Sequence, residues 1–460
     1  MNEAGKGNRV GAKTPETLST KLNRLAERAR RNPELKMQNI AHLITVEMLT
    51  WSYQQLRRGA AAGVDGITAD DYDRDHQENL RCLHLRLKEG RYRAQPMRRV
   101  YIEKEDEKKR PLSIPVLEDK ICQRAASELL TRIYENDFLP ASYGYRPRRG
   151  AHNALDDIQR DITMGKVNYV LDADISDYFG SIVRGELMKM LQSRIADKQL
   201  LALIGKWLNV GVIEEGRLFL SENGTYQGSV ISPVLANVYL HEVLDRWVEE
   251  IVRPRMKGEM KLYRYADDFI ATFQYKEDAE RFMTVLPKRF EKFGLKLHPD
   301  KTQMIEFGRG AWNKSKTTHT KPATFNFLGL THYCGTSRKG KFIVKVKTMA
   351  KRLRRALLRV TEWCQNNRHQ PLLNQHRHLA TVLRGHYAYY GRRTNSLALN
   401  QFYRRLVRIW KKWLSRRGRD SYVTWAKIDA ILGKHPLPRP RIVHGALNSR
   451  SQIPLSGEFI

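Results

Sequence analysis

Two adjacent carboxylates, Asp267 and Asp268, interrupt an apolar and aromatic stretch that runs from Leu262 to Phe273. The runs on either side read as two short strands, with Ala266-Asp267-Asp268 at the turn between them. Neighbouring carboxylates at a buried hairpin tip repel each other. Hard oxygen ligands suit Mg²⁺, so a divalent cation resolves the repulsion; an ordinary Asp-Asp surface turn is the plain alternative. A second acidic run, Tyr169-Val-Leu-Asp-Ala-Asp-Ile175, is rich in β-formers and carries Asp172 and Asp174. A site with two metal ions about 3.5–4 Å apart needs bridging ligands, so one acidic strand end must face the acidic hairpin. Asp172 and Asp174 share one face of a strand, and parity does not separate them.

The balance of charge narrows the partners. The 460 residues carry a formal net charge of +33, with an isoelectric point near 10.1. That points to a polyanion, nucleic acid first and a membrane surface second. The chain has no apolar run long enough to span a bilayer and no signal peptide, so a soluble cytoplasmic protein is expected, associated with nucleoid or ribonucleoprotein. Hydrophobic residues make up 41% of it, enough to fold most of the chain. The four cysteines, Cys82, Cys122, Cys334 and Cys364, form no CxxC pair, and buried free thiols are expected for all four.

Helical spacing predicts helices over residues 22–31, 40–56, 72–88, 119–136, 184–194, 198–210 and 277–293. Residues 100–104 and 110–115 read as a hairpin with basic residues on both arms. Such a hairpin can grip a triphosphate or can simply be solvated. Residues 308–324 are polar and turn-rich and read as a loop. Residues 345–420 hold 20 Lys and Arg against two acids, Glu362 and Asp420, or about +18 in 76 residues. Apolar residues still recur there at helical spacing, which predicts three helices with basic outer faces. On the third, Arg404, Arg405, Lys411 and Lys412 lie on or flank the face opposite Phe402, Leu406, Ile409 and Trp413. Residues 421–460 are Pro-rich and basic with no clear long element.

The phrase Tyr265-Ala-Asp-Asp268, following Tyr263-Arg264, resembles the central motif of reverse transcriptases. Other stretches match that family in order. Gly63-Val-Asp-Gly-Ile-Thr68 resembles the extra N-terminal block of the group II intron-encoded members. Lys104 with Arg110-Pro-Leu112 resembles the fingertip block, and Ser142-Tyr-Gly-Tyr-Arg-Pro147 the block after it. Asp174-Ile175 followed by Tyr178-Phe179 resembles the segment with the first catalytic aspartate. Gln227-Gly before Ser232-Pro233, Gly294 to Thr302, and Phe325-Asn-Phe-Leu-Gly-Leu330 resemble three later blocks. Gly385-His-Tyr-Ala-Tyr-Tyr-Gly391 resembles part of the maturase or X domain. The chain is thereby identified as resembling the group II intron-encoded reverse transcriptases and maturases over about residues 40–445.

The resemblance implies an α+β right-hand polymerase fold, with fingers and palm built on antiparallel sheet and a helical thumb or X domain behind them. It implies a basic extension at 1–36, fingers at 37–165, a palm at 166–335, a thumb at 336–420 and a short DNA-binding-like tail at 421–460. It implies Asp174, Asp267 and Asp268 as catalytic, with Ile175 joining them in holding two Mg²⁺ ions, for which Mn²⁺ substitutes. Lys104, Arg110, Phe179, Gln227 and Lys301 are implied at the nucleotide, with Phe179 beneath the sugar or simply in the core. Arg146 either meets template phosphate or packs and pairs. Asp172 and Asp177 remain structural acids. The implied partners are a group II intron RNA, an RNA template, a DNA primer or target DNA, and dNTPs, without a membrane. The implied function is RNA-directed DNA synthesis with maturase assistance to splicing and retrohoming. A maturase acting mainly as a splicing cofactor, or a domesticated enzyme of DNA repair or phage defence, are the alternatives. Many members end in an HNH endonuclease with paired cysteines. No such pattern follows Asp420, so second-strand nicking is not expected and the small bacterial types are the nearer match.

Overall fold

A computed structural model describes residues 17–103, 109–418 and 421–444. Its strands, in chain order, are β1 (Met97–Glu103), β2 (Lys109–Ile114), β3 (Tyr169–Ala173), β4 (Val212–Glu214), β5 (Arg217–Phe219) and β6 (Met260–Tyr265). β7 (Asp268–Phe273), β8 (Gln303–Glu306), β9 (Thr324–Phe327), β10 (Leu330–Thr336) and β11 (Phe342–Thr348) follow. They form three sheets, ordered β2-β1-β4-β5, β6-β7-β3-β8 and β11-β10-β9. Pairing is antiparallel except where β1 meets β4. Helices pack around all three sheets, and beyond Thr348 the described chain is helical, so the molecule is α+β as expected. No described helix is long and apolar enough to cross a membrane.

The second sheet divides two cores because successive strand residues point to opposite faces. Leu171, Ala173, Phe269, Ala271 and Phe273 enter the largest core. It is shared with the helices Leu117–Tyr134, Ser232–Leu240 and Lys276–Glu291. Val170, Tyr263 and Ile270 enter a second core with the helix Ala151–Met164 and the β9–β11 sheet. A third core lies inside the helices Ala350–Asn366, Leu372–Tyr390 and Ser396–Leu414.

One charged side chain is buried completely in the first of these joints. Arg264, on β6, is 0% exposed and forms a two-pronged pair with Asp245 at 2.8 and 2.6 Å. The same guanidinium donates to Asn237 Oδ1, Ser142 Oγ and the Ala266 carbonyl. The backbone of residues 141–143 pairs with Arg264 on both sides, through Arg264 N to Ala141 O and Tyr143 N to Arg264 O, each 2.8 Å. A single arginine therefore ties the β6–β7 hairpin to the loop before the helix Ala151–Met164 and to the helix Ser232–Leu240.

The helical bundle is fastened to the third sheet by a short loop. Asn395 accepts from Thr348 N at 2.8 Å and donates to Thr348 Oγ1 at 2.8 Å. Thr394 Oγ1 accepts from Val346 N at 2.8 Å. Tyr389 donates to the carbonyl of Leu328, at the β9–β10 turn, at 2.9 Å.

Several elements differ from the periodicity reading. The apolar pattern over 40–56 is broken. Asp197 caps the amides of Ile40 and Ala41 at 2.6 and 2.8 Å and holds a short turn, and the helix proper is Val46–Gln54 behind its Thr45 cap. Residues 72–88 form two helices, Ala69–Asp73 and His76–Lys88. Residues 308–324 are not all loop: Arg309–Thr318 is a helix, anchored by buried Ala311 and by Trp312 against Phe342 at 5.6 Å. Residues 345–348 belong to β11, so the first bundle helix starts at Ala350. The tail contains the helix Trp425–Lys434, capped by Thr424 and held by fully buried Ile428. Cys82 is exposed, not buried, whereas Cys122 and Cys364 are buried and Cys334 half-buried.

Asp245→Ala leaves the Arg264 guanidinium buried without its partner and is expected to destabilise the fold by about 3–5 kcal/mol. Glu249→Ala breaks the exposed pair with Arg253 and is expected to cost no more than about 1 kcal/mol. Urea unfolding of the two variants checks the difference.

Candidate active site

β6 and β7 pair from Met260 with Phe273 to Tyr265 with Asp268, which leaves a two-residue turn, Ala266-Asp267. Ala266 takes a φ of 59°, in the left-handed region that costs about 1–2 kcal/mol for a residue with a Cβ. Two contacts hold it there. Arg264 donates to the Ala266 carbonyl at 3.1 Å. Gly144 lies so close that a Cβ on it would stand 2.5 Å from Ala266 N. Asn237 in turn fixes Gly144 through its carbonyl at 2.7 Å.

The register then brings the acids together. β3 pairs with β7 from Tyr169 opposite Phe273 to Ala173 opposite Phe269, and one further step sets Asp174 opposite Asp268. Asp172 lies one pleat back on the same face. Burial holds Asp268 well above the ordinary carboxylate range, and the charges of Asp172, Asp267 and Asp174 raise it further. Burial also raises Asp267, with the charge of Asp174 adding to it and Arg110 and Lys301 pulling it down. Asp172 is pushed up to about 7 by burial, with a hydrogen bond from Gln303 opposing and Asp174 adding. Four carboxylates thus crowd one spot, with two cations at its rim.

Lys301 is carried by the short turn Pro299–Lys301 and reaches Asp174 Oδ2 at 2.6 Å. Its segment is stitched beside Asp174 by His298 N to Asp174 O and Ser176 N to Lys296 O, each 2.8 Å. Those bonds close the bridge between Ile175 and Leu297 from either side and leave the Ile175 carbonyl outside that ladder. Arg110 is exposed on β2, near enough that its charge and that of Asp267 both act on the Tyr145 phenol. Lys104 lies outside the described residues.

Phe179 is half-buried in the short helix Tyr178–Ser181, packed on the main core with its carbonyl accepting from Thr225 N at 2.7 Å. Gln227 is half-buried, and its carbonyl accepts from Ser113 N of β2 at 2.7 Å, which joins its turn to the first sheet. Arg146 packs and pairs: it is 4% exposed, doubly bonded to Glu135, and donates to the carbonyls of Leu139 and Ser142. Arg404, Arg405 and Lys412 are exposed on the helix Ser396–Leu414. Lys411 departs from the expected open face. It is half-buried, and its ammonium lies 4.9 Å from the Tyr422 ring and 5.4 Å from the Trp425 ring.

Among the described residues no three acidic, histidine or cysteine side chains stand in a ligating arrangement as the side chains lie, and Asp174 is paired with Lys301. The donor set nevertheless fits a hard divalent cation. All of its side chains are carboxylates, and their mutual repulsion is the force such an ion relieves. Asp172, expected as a structural acid, lies beside this group, and its shared parity with Asp174 was the available signal. Arg264, Asn237 and Asp245 carried no signal beyond an arginine set in an apolar strand.

The sequence profile of the reverse transcriptase (RNA-dependent DNA polymerase) family matches residues 102–332, half of the chain. The group II intron-encoded protein LtrA of Lactococcus lactis subsp. cremoris is 35% identical over 232 residues, 50% of this chain and 38% of that protein. Protein YkfC of Escherichia coli is 34% identical over 287 residues, 55% of this chain and 75% of that protein. An uncharacterized 91 kDa protein in the cob intron of Schizosaccharomyces pombe is 32% identical over 249 residues, 54% of this chain and 30% of that protein. The chain thus spans well under half the length of the Lactococcus and Schizosaccharomyces relatives. On the family profile, and on a relative covered over three quarters of its length, this chain belongs to the reverse transcriptase family and is akin to its group II intron-encoded members.

Proposed function

We propose that this protein is an RNA-directed DNA polymerase that also binds a group II intron RNA and assists its splicing and retrohoming. One observation carries the reading: Asp174, Asp267 and Asp268 meet at the end of β3 and the β6–β7 turn, with Arg110 and Lys301 at the rim. Asp174, Asp267, Asp268 and the Ile175 carbonyl would hold two Mg²⁺ ions, with Mn²⁺ as the substitute. Those ions would supply a lowered pKa at a primer 3′-hydroxyl and neutralisation of the triphosphate. Arg110, from the first sheet, is suited to a bidentate grip on phosphate. Lys301 leaves Asp174 for the triphosphate or the pyrophosphate leaving group. Gln227 lies beside the incoming nucleotide, and Lys104, by its resemblance to the fingertip block, adds a point charge. Phe179 forms the floor beneath the sugar and excludes a 2′-hydroxyl.

The first sheet with its N-terminal helices serves as fingers, the second as palm, and the helices from Ala350 onward as a thumb. The thumb's basic surface favours a partner read by backbone and shape, as RNA duplexes are. The similarity to a group II intron-encoded protein supports intron RNA as that partner.

Asp267→Asn with Asp268→Asn is expected to abolish primer extension on an RNA template while RNA affinity stays near wild type. Extension by the double variant at an unchanged rate would remove the assignment. Gly144→Ala pushes a methyl group into the Ala266 amide, and the resulting shift of the catalytic turn is expected to cost on the order of 10²-fold in kcat. Unaltered single-turnover kinetics would show that the turn tolerates the shift. Phe179→Ala is expected to relax discrimination between rNTP and dNTP about tenfold or more. An unchanged ratio of kcat/KM values would leave Phe179 as a core residue alone.

A further inference from the structure

The far end of the helix Ser396–Leu414 carries a cluster of rings and cations that the polymerase site does not use. The chain turns back after this helix, with Val423 N bonded to Ser415 Oγ at 3.1 Å, and the helix Trp425–Lys434 follows. The turn lays Tyr422 and Trp425 beside Lys411, whose ammonium is 4.9 and 5.4 Å from their ring centres. Both rings remain open to solvent, Tyr422 at 68% and Trp425 at 51% exposure. Two residues beyond Lys411, Trp413 is flanked by Lys412 at 5.4 Å and Arg416 at 5.3 Å.

The cluster sits at the end of a basic line. Arg404, Arg408 and Lys412 are exposed and four residues apart, so they lie along one face at intervals of about 6 Å. The neighbouring sequence offers almost nothing to neutralise them. Glu362 is the only carboxylate between residues 345 and 418, and Asp429 the only one between 421 and 444. A tyrosine and a tryptophan left half open or more, beside unbalanced cations, cost hydrophobic burial without a visible return in packing.

We propose that this end of the bundle binds single-stranded nucleic acid. Arg404, Arg408, Lys412 and Arg416 take the phosphates of one strand, and Tyr422 and Trp425 stack on its unpaired bases. The cations require a polyanion. The open rings distinguish a single strand from a duplex, because paired bases already have both faces covered by their neighbours. Lys411 holds the two rings in place from within, which spares the strand the entropy of ordering them. The proposal rests on the reading of this chain as a nucleic-acid enzyme, but its test is binding and needs no catalysis.

The test compares wild type with Tyr422→Ala/Trp425→Ala, Tyr422→Phe/Trp425→Phe and Lys412→Ala/Arg416→Ala, each checked for unchanged helical circular dichroism. Probes are an RNA strand, a DNA strand of the same sequence and their blunt duplexes, followed by anisotropy across a salt series. Bromouracil-substituted strands are also photo-cross-linked and the attachment sites mapped. The alanine pair is expected to lose about tenfold or more in single-strand affinity, with the salt slope kept and duplex binding within twofold of wild type. The phenylalanine pair is expected to restore affinity, because it keeps the rings. Lys412→Ala/Arg416→Ala is expected to flatten the salt slope. Cross-links are expected at Tyr422 or Trp425, and loss confined to the RNA or the DNA strand identifies which is held. Single-strand affinity of the alanine pair within twofold of wild type, equal loss for strands and duplexes, or cross-links that avoid both rings would each overturn the proposal. Wild type binding none of the probes would instead count against the nucleic-acid reading itself.

Discussion

The catalytic geometry depends on one charge taken wholly out of water. Arg264 and Asp245 are both essentially unexposed, at 0% and 1%. A buried ion pair adds little net stability, because desolvation consumes most of the attraction. What it adds here is uniqueness. The guanidinium must satisfy its donors inside the protein, and only one arrangement brings Asp245, Asn237, Ser142 and the Ala266 carbonyl to it together. That arrangement is the one in which Ala266 is left-handed and Asp267 and Asp268 project toward β3. The cost of strain at the turn is met by a charge that has nowhere else to go.

Among the described residues Arg264 is one of four buried arginines, in a chain whose charge would suggest a surface role for all of them. Arg146 joins Glu135 to the loop at Ser142. Arg194 gathers Asp137 with the carbonyls of Ala29 and Asn32, which binds the N-terminal helix Leu18–Arg31 to the main core. Arg392 spans from the bundle to Asp156 on the helix Ala151–Met164. Arg194, Arg264 and Arg392 close joints between segments remote in sequence, and Arg146 a local one, by the planar, multi-donor geometry that lysine lacks. The net charge of +33 is therefore a mixture of staples and surface.

What the sequence made legible were features with local causes. The acidic hairpin, its facing strand and the bundle helices follow from alternation and helical spacing, and the structure has them within a few residues. What it hid depends on contacts over long separations. Arg264 finds Asp245 and Ser142 only after folding, so nothing next to it announces a hub. Asp172 shares parity with Asp174, and only the β3/β7 register makes it a neighbour of Asp268. The helix Arg309–Thr318 is polar but for Ala311 and Trp312, and the tail helix hangs on Ile428; one or two anchors do not make a period. Lys411 was placed by helical geometry on an open face, and the returning tail covered it. The nucleotide-facing roles of Phe179, Gln227 and Lys301 rest on resemblance together with position, since a side chain's neighbours do not reveal an absent substrate.

The fastening of the bundle has a mechanical consequence. Thr394 and Asn395 are bonded along β11 at Val346 and Thr348, β11 is paired with β10, and the turn leading into β10 is bonded back to the bundle by Tyr389. These links form a closed loop of hydrogen bonds, so the base of the bundle has no single-covalent pivot. A force on its outer end is carried into the sheet as a couple, pulling at Thr348 and pushing at Leu328. The bundle then behaves as a stiff lever rooted in the sheet, and its compliance lies in the bending of its own helices.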